Sequence, residues 1–271
     1  MPVNLDSLNS IMKKSRRQAL GQHFLKDKKA LRKIVRLINP QPEDTLIEIG
    51  PGKGALTFLL TSKAGRVIAI EKDTRLASLL KERAPKNLQV LEEDILKVSF
   101  KKLLPPCTQI KLVGNLPYSI STPILFRVME EQSFFSECHF LLQKEVAKRI
   151  CALPGSKAYA PLSIYFFNFF VSKLHFTLAS AAFSPPPKVD SGFISLRKRP
   201  APLFPLSNDQ EFLQFLKTVF QHRRKTIYNN LLLANIPPPY IKEAFMACKI
   251  EAHLRPEQIH LEQFVRLYNH I

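Results

Sequence analysis

Acidic residues are scarce. The 271-residue chain carries 22 Asp and Glu against 40 Lys and Arg, a formal net charge of +18. A surface so unbalanced sits favourably in a polyanion's field, so nucleic acid or an anionic membrane is the expected partner. Long apolar runs are missing too. The most apolar stretch, Leu162 to Val171, is far too short to span a bilayer, and polar residues interrupt it. No apolar signal-peptide core opens the chain, whose first 40 residues mix polar and basic positions. That favours nucleic acid over a membrane. The four cysteines, Cys107, Cys138, Cys151 and Cys248, lie far apart without paired spacing. They suit neither a disulfide framework nor a zinc site, and a reducing, cytoplasmic compartment is expected. The seven His likewise form no metal-ligand spacing, so no metal is expected. Internal repeats and low-complexity blocks are absent.

The composition that remains, 45% hydrophobic and 23% charged, is that of an ordinary globular protein. Residues 1–40 hold ten Lys or Arg and only Asp6 and Asp27 as acids. A basic arm (1–19) with Lys13, Lys14, Arg16 and Arg17 is expected to reach for phosphate. Leu31, Ile34, Val35 and Ile38 then recur at helical spacing from Lys28 to Ile38. From Thr45 strands and helices alternate. Strands are expected at Thr45–Ile49, Val67–Ile70, Leu88–Leu91, Ile110–Val113 and His139–Leu142. Helices are expected from Ala55, at Arg75–Arg83, Pro123–Glu130 and Lys144–Ile150. Such alternation predicts an α/β fold, a doubly wound, mostly parallel sheet. Leu174–Leu178 and Phe193–Arg197 complete seven strands as an edge hairpin. This domain is placed at 20–199, a Pro-rich linker at 200–205, and a small helical domain at 206–271. Helices are expected there around Phe212–Phe220, Ile227–Leu233 and Ile241–Phe245.

Leu46-Ile-Glu-Ile-Gly-Pro-Gly-Lys-Gly54 is a strand running into a glycine-rich turn. Gly50 and Gly52 let backbone approach a ligand closely. The spacing is not that of a Walker phosphate loop, but a variant dinucleotide loop fits as well. Glu71, 21 positions after Gly50, ends the second strand, where an acid of such folds accepts from ribose hydroxyls. Asp94 ends the third, where a carboxylate suits an exocyclic adenine amine. Together these point to a nucleoside-bearing cofactor.

Asn115-Leu-Pro-Tyr118 ends the fourth strand and resembles the motif of methyltransferases acting on exocyclic amino nitrogens. The cofactor it implies is S-adenosyl-L-methionine. The chemistry explains the residue types. The N6 lone pair of adenine is delocalised into the ring and attacks poorly. The Asn115 amide oxygen and the Leu116 carbonyl can accept the two N6 hydrogens and aim the lone pair at a sulfonium methyl. Pro117 fixes the turn, and Tyr118 offers a stacking face.

Seven blocks carry a wider resemblance: Gly21-Gln-His-Phe-Leu25, Glu48 to Gly54, Asn115 to Pro123, Gln143 to Ala147, Ser156 to Tyr159, Phe183-Ser-Pro-Pro-Pro-Lys-Val-Asp-Ser191 and Gln221-His-Arg-Arg-Lys-Thr226. Together they resemble the KsgA-type ribosomal RNA adenine dimethyltransferases over residues 20 to about 235. The resemblance implies dimethylation of two adjacent adenosines in the 3′-terminal hairpin of small-subunit rRNA, within a pre-ribosomal particle and by a monomer. It puts cofactor contacts on His23, Leu25, Gly50, Glu71, Asp94 and Asn115. Phe183 becomes a second stacking face opposite Tyr118. Arg223, Arg224 and Lys225, three adjacent bases in the small domain, are expected on RNA phosphates. His23 stands where the family usually has Asn, and Ser119 likewise. Two rival readings stay open: an amino-nitrogen methyltransferase acting on DNA or protein, and a non-catalytic RNA-binding assembly factor. An NAD-dependent oxidoreductase fits the glycine loop but leaves Asn115–Tyr118 and the charge unexplained.

Overall fold

The computed structural model describes residues 22–104 and 110–271. The arm residues Lys13, Lys14, Arg16 and Arg17, and Cys107, lie outside them. Helix α1 (Lys28–Ile38) starts where the Asp27 carboxylate caps the amides of Lys29 and Ala30 at 2.8 and 3.0 Å. It ends at Asn39, which adopts the left-handed conformation. Leu31, Ile34, Val35 and Ile38 are all buried, as their spacing predicts.

A seven-stranded sheet follows: β2 (Thr45–Ile49), β3 (Arg66–Glu71), β4 (Leu88–Glu92), β5 (Ile110–Asn115), β6 (Phe135–Gln143), β7 (Phe170–Leu178) and β9 (Ser191–Lys198), in the order β4-β3-β2-β5-β6-β9-β7. The pairs β4–β3, β3–β2, β2–β5 and β5–β6 are parallel. Their near-continuous Val, Ile and Leu suit strands covered on both faces. Between the strands run α2 (Thr57–Thr61), α3 (Thr74–Lys81), α4 (Phe100–Leu103), α5 (Ser121–Glu130) and α6 (Lys144–Ile150). The expected edge hairpin corresponds to neighbours β9 and β7, with β7 outermost. A separate two-stranded ribbon pairs β1 (Phe24–Leu25) antiparallel with β8 (Phe183–Ser184). Residues so far apart in sequence pair without any local signal.

The chain forms two compact units, and the boundary differs from the one expected at 200–205. One unit comprises residues up to Lys144 with His175–Ser195; the other joins Glu145–Leu174 to Leu196–Ile271. Within the second, α7 (Pro161–Phe169) precedes the helices α8 (Asp209–Val219), α9 (Ile227–Leu233), α10 (Pro238–Cys248) and α11 (Leu261–His270). Long-range bonds explain why residues 145–174 belong here. Gly155 donates its amide to the Glu257 carbonyl at 2.8 Å. The rings of Tyr159 and Phe220 meet edge to face. The Pro-rich segment is pinned rather than loose, because the buried Asn168 side chain bonds both main-chain groups of Phe204 at 2.9 and 3.0 Å. Among the described residues no helix is long and apolar enough to cross a membrane.

Candidate active site

The carboxyl ends of β2, β3 and β5 open onto one cavity of about 240 Å³. Gly50, Gly52, Glu71, Asp94, Asn115, Leu116, Tyr118 and His23, drawn from five separate stretches of sequence, all line it. Gly50 and Gly52 have φ of +63° and +59°, a conformation that side chains strain. A Cβ on Gly52 would also lie 2.8 Å from the Phe24 ring.

Glu71 is buried and accepts the Gly52 amide on Oε2 at 3.0 Å and the Asp73 amide on Oε1 at 2.9 Å. Burial pushes its carboxyl above the usual carboxylate range, and the two amides hold it back. Lone pairs not taken by main-chain amides remain to receive a ribose hydroxyl. Asp94 accepts the Leu96 amide on Oδ1 at 3.0 Å and the Lys72 ammonium on Oδ2 at 2.7 Å. The Lys72 contact, reinforced by the Leu96 amide, holds Asp94 below the usual range. Lys72 is a residue that sequence reasoning missed; an exposed cation beside an acid carries no distinctive pattern.

Asn115 sits at the end of β5, and its geometry is specific. Its Nδ2 donates to the His23 carbonyl at 2.8 Å. That commits the donor half of the amide and leaves Oδ1 as an acceptor. His23 in turn donates from Nδ1 to the Pro185 carbonyl at 2.8 Å, since a carbonyl can only accept. His23 therefore braces Asn115 through its main chain, and its ring lies 5.5 Å from that of Tyr118. The Tyr118 hydroxyl bonds Ser191, a partner visible in the sequence only as the last residue of the Phe183 block. Leu116 donates its amide to Leu141 at 3.0 Å, which continues the strand pairing past Asn115.

Two expected site residues are elsewhere. Phe183 is 1% exposed and packs in the core around Leu25 and Leu31, so it presents no open stacking face. The reason is the ribbon: Leu25 pairs with Phe183, and the alternation of a strand sends Phe183 inward and Ser184 outward. The slot expected between Tyr118 and Phe183 is thus not formed. Leu25 is buried in that same core and does not line the cavity.

Glu48, in the glycine motif, is 2% exposed on β2. Burial raises its carboxyl from about 4.5 to about 7, the Thr57 hydroxyl opposing and the Glu71 charge adding. Between those values the folded chain holds a proton that the unfolded chain has released, so Glu48 costs stability as pH rises. Glu48→Gln should therefore gain on the wild type in thermal melts between about pH 5 and 8. A difference in midpoint that does not change with pH would refute this.

The basic cluster divides. Arg223 donates to the carbonyls of Lys157 and Tyr159 at 2.7 and 3.1 Å, bonds inside the second compact unit. It braces that unit. Arg224 and Lys225 are exposed, with no ion pair among the described residues. Arg223→Ala should lower stability by roughly 1 kcal/mol. Arg224→Ala should instead leave stability unchanged and reduce the slope of log affinity for RNA against log salt by about one. Equal effects of both variants on melting would contradict the division.

The chain is similar to known proteins in sequence and in fold. The profile of the ribosomal RNA adenine dimethylase family matches residues 13–271. The chain is 38% identical over 264 residues to ribosomal RNA small subunit methyltransferase A of Xanthomonas campestris, covering 97% of this chain and 98% of that one. Its fold is similar to a crystal structure of a dimethyladenosine transferase from Plasmodium falciparum, with a TM-score of 0.76 at 28% identity, covering 90% of this chain and 96% of that one. It is similar also to the 23S rRNA methyltransferase ErmE, with a TM-score of 0.69 at 26% identity over 91% and 98% of the two chains.

Proposed function

Because the chain belongs to the ribosomal RNA adenine dimethylase family, we propose that it dimethylates N6 of two adjacent adenosines in the 3′-terminal hairpin of small-subunit rRNA. The methyl donor is S-adenosylmethionine, and the substrate is a pre-ribosomal particle in the cytoplasm, met by a monomer. The observation that carries this reading is the Asn115 amide, whose nitrogen is spent on the His23 carbonyl while its oxygen remains an acceptor within the cavity.

The residues of the cavity fit the donor. Glu71 retains acceptor capacity for a ribose, and Asp94 for an adenine amine. Gly50 and Gly52 leave the backbone bare beside them. S-adenosylmethionine supplies an electrophilic methyl on a sulfonium sulfur when bound. The chain supplies orientation. Asn115 Oδ1 and the Leu116 carbonyl accept the N6 hydrogens, pulling the lone pair out of conjugation with the ring. No strong base is required, because the nitrogen becomes acidic once methylated and releases its proton to solvent. Tyr118, held by Ser191, offers its ring to the base. Arg224 and Lys225, with the arm residues Lys13, Lys14, Arg16 and Arg17, neutralise phosphate.

The test is methyl transfer from labelled S-adenosylmethionine to purified unmethylated small subunits, large subunits and DNA. Label in the small subunit alone is expected. Label in the large subunit alone would reassign the substrate to that of ErmE-like enzymes, and none in any RNA would refute the proposal.

A further inference from the structure

The segment from Lys26 to Arg36 holds six cations, Lys26, Lys28, Lys29, Arg32, Lys33 and Arg36, against one acid, Asp27. All six are exposed. Asp27 is spent on the amides of Lys29 and Ala30, which it caps. At 3.6 residues per turn, the five cations within α1 fall in one arc of roughly 140°. The buried Ala30, Leu31, Ile34, Val35 and Ile38 fall in the opposite arc. Lys33 lies over the Phe176 ring, 4.2 Å from its centre. Lys28, Lys29, Arg32 and Arg36 have no ion pair among the described residues.

This placement of charge opposes the helix that carries it. Lys28 and Lys29 stand in the first turn, where the positive end of the helix dipole repels cations, and no acid stands there. Lys28 and Arg32, Lys29 and Lys33, and Arg32 and Arg36 are like charges four positions apart, each pair destabilising. Solubility does not require this, since Glu and Lys in alternation would solvate the face and support the helix. Cations of one sign on one face fit a polyanion that neutralises them. A membrane is the wrong polyanion. A helix lying on lipid must offer its apolar face, and that of α1 is packed in the core with Leu46, Leu60 and Phe193. The cations instead form three tiers, at 28/29, 32/33 and 36, about 6 Å apart along the axis, a ladder suited to a phosphate strand. The ladder starts beside the reacting cavity. Lys26 follows directly on β1, whose Phe24 lines that cavity, and the exposed Lys53 of the glycine turn has its Nζ 5.3 Å from the Phe24 ring centre.

We propose that the outer face of α1, from Lys26 to Arg36, is an RNA-docking surface that holds the phosphate backbone of small-subunit rRNA flanking the reacting adenosines. This rests on the reading of the chain as an rRNA adenine dimethyltransferase. The face reads no bases and takes no part in methyl transfer. It supplies binding energy and orientation, and bound phosphate relieves the repulsion within the helix. The free protein therefore carries a local cost in stability that RNA removes.

The double variant Arg32→Gln/Arg36→Gln removes two of these cations and leaves the cavity untouched, since neither residue lines it. Gln favours helix about as well as Arg, so α1 is retained. For unmethylated small subunits, the slope of log affinity against log salt should fall by about two. Over a fivefold rise in salt the wild type should then lose roughly twentyfold more affinity than the variant. KM at low salt should rise, with kcat and cofactor affinity unchanged. Without RNA and at low salt, the variant should melt no lower than the wild type, because a repelling pair is gone. An unchanged slope, or a lower melting midpoint in the free variant, would overturn the docking surface. The same change of slope is expected on small-subunit rRNA stripped of protein. A change confined to intact particles would assign the face to an acidic protein and overturn the proposal. Wild-type protein that transfers no methyl to small subunits would overturn the functional reading instead, and the slope on stripped rRNA would still decide the face.

Discussion

Asn115→Ala is expected to slow methyl transfer by roughly two to three decades while cofactor and RNA still bind. Asn115 is asked to act when N6 begins to attack, and an interaction made in the transition state shows in turnover rather than in ground-state affinity. The structure sharpens this. The amide nitrogen is held by the His23 carbonyl, so the oxygen is already aimed before any substrate arrives. Loss of that preorganisation corresponds to about 2.7–4 kcal/mol of barrier. The two transfers can be separated. Monomethylated adenine has one N–H left, so one of the two acceptors becomes idle in the second step. If Asn115 and the Leu116 carbonyl share the work, the variant is impaired in both steps, though unequally. Single-turnover rates on unmodified and monomethylated RNA measure this, and wild-type rates in both would reduce Asn115 to a turn residue.

Glu71→Ala is expected to weaken cofactor affinity by about one to two decades and leave RNA affinity unchanged. Charge-assisted bonds to the ribose are lost. So are the bonds from the Gly52 and Asp73 amides, which are left without a partner beside a bare glycine turn. The loss is therefore one of site geometry as well as of direct contact. Glu71→Gln separates them, since its amide oxygen can still take one of the two amides but carries no charge. Calorimetry should rank wild type above Gln and Gln above Ala; equal affinities in all three would sink the assignment.

Much of this site is legible in the sequence, for identifiable reasons. Glu71 and Asn115 end parallel strands, Gly50 and Asp94 lie just past the ends of two others, and the alternation of strands and helices locates those ends without tertiary information. Helix α1 is legible because its apolar positions recur on one face. Helix α7 is not, because all its side chains but Pro161 and Phe167 are buried and no polar face marks a period. The segment therefore reads only as an apolar run. Helix α11 does carry the helical pattern, with Leu261, Phe264, Val265 and Tyr268 at the right intervals, and could have been read. The first half of β6 hides behind Ser136 and Glu137, polar residues set between the buried Phe135 and Cys138. Phe183 shows the limit most clearly. Its motif marks it as important, but its direction depends on pairing with Leu25, 158 positions earlier in the chain. Only the fold sets that.

The most direct measurement is a map of N6,N6-dimethyladenosine along ribosomal RNA from cells with and without this protein. The account predicts two adjacent dimethylated adenosines in the 3′-terminal hairpin of small-subunit rRNA, lost together without the protein and restored by the wild type but not by Asn115→Ala. Persistence of both modifications in cells without the protein, or their restoration by Asn115→Ala, would contradict it.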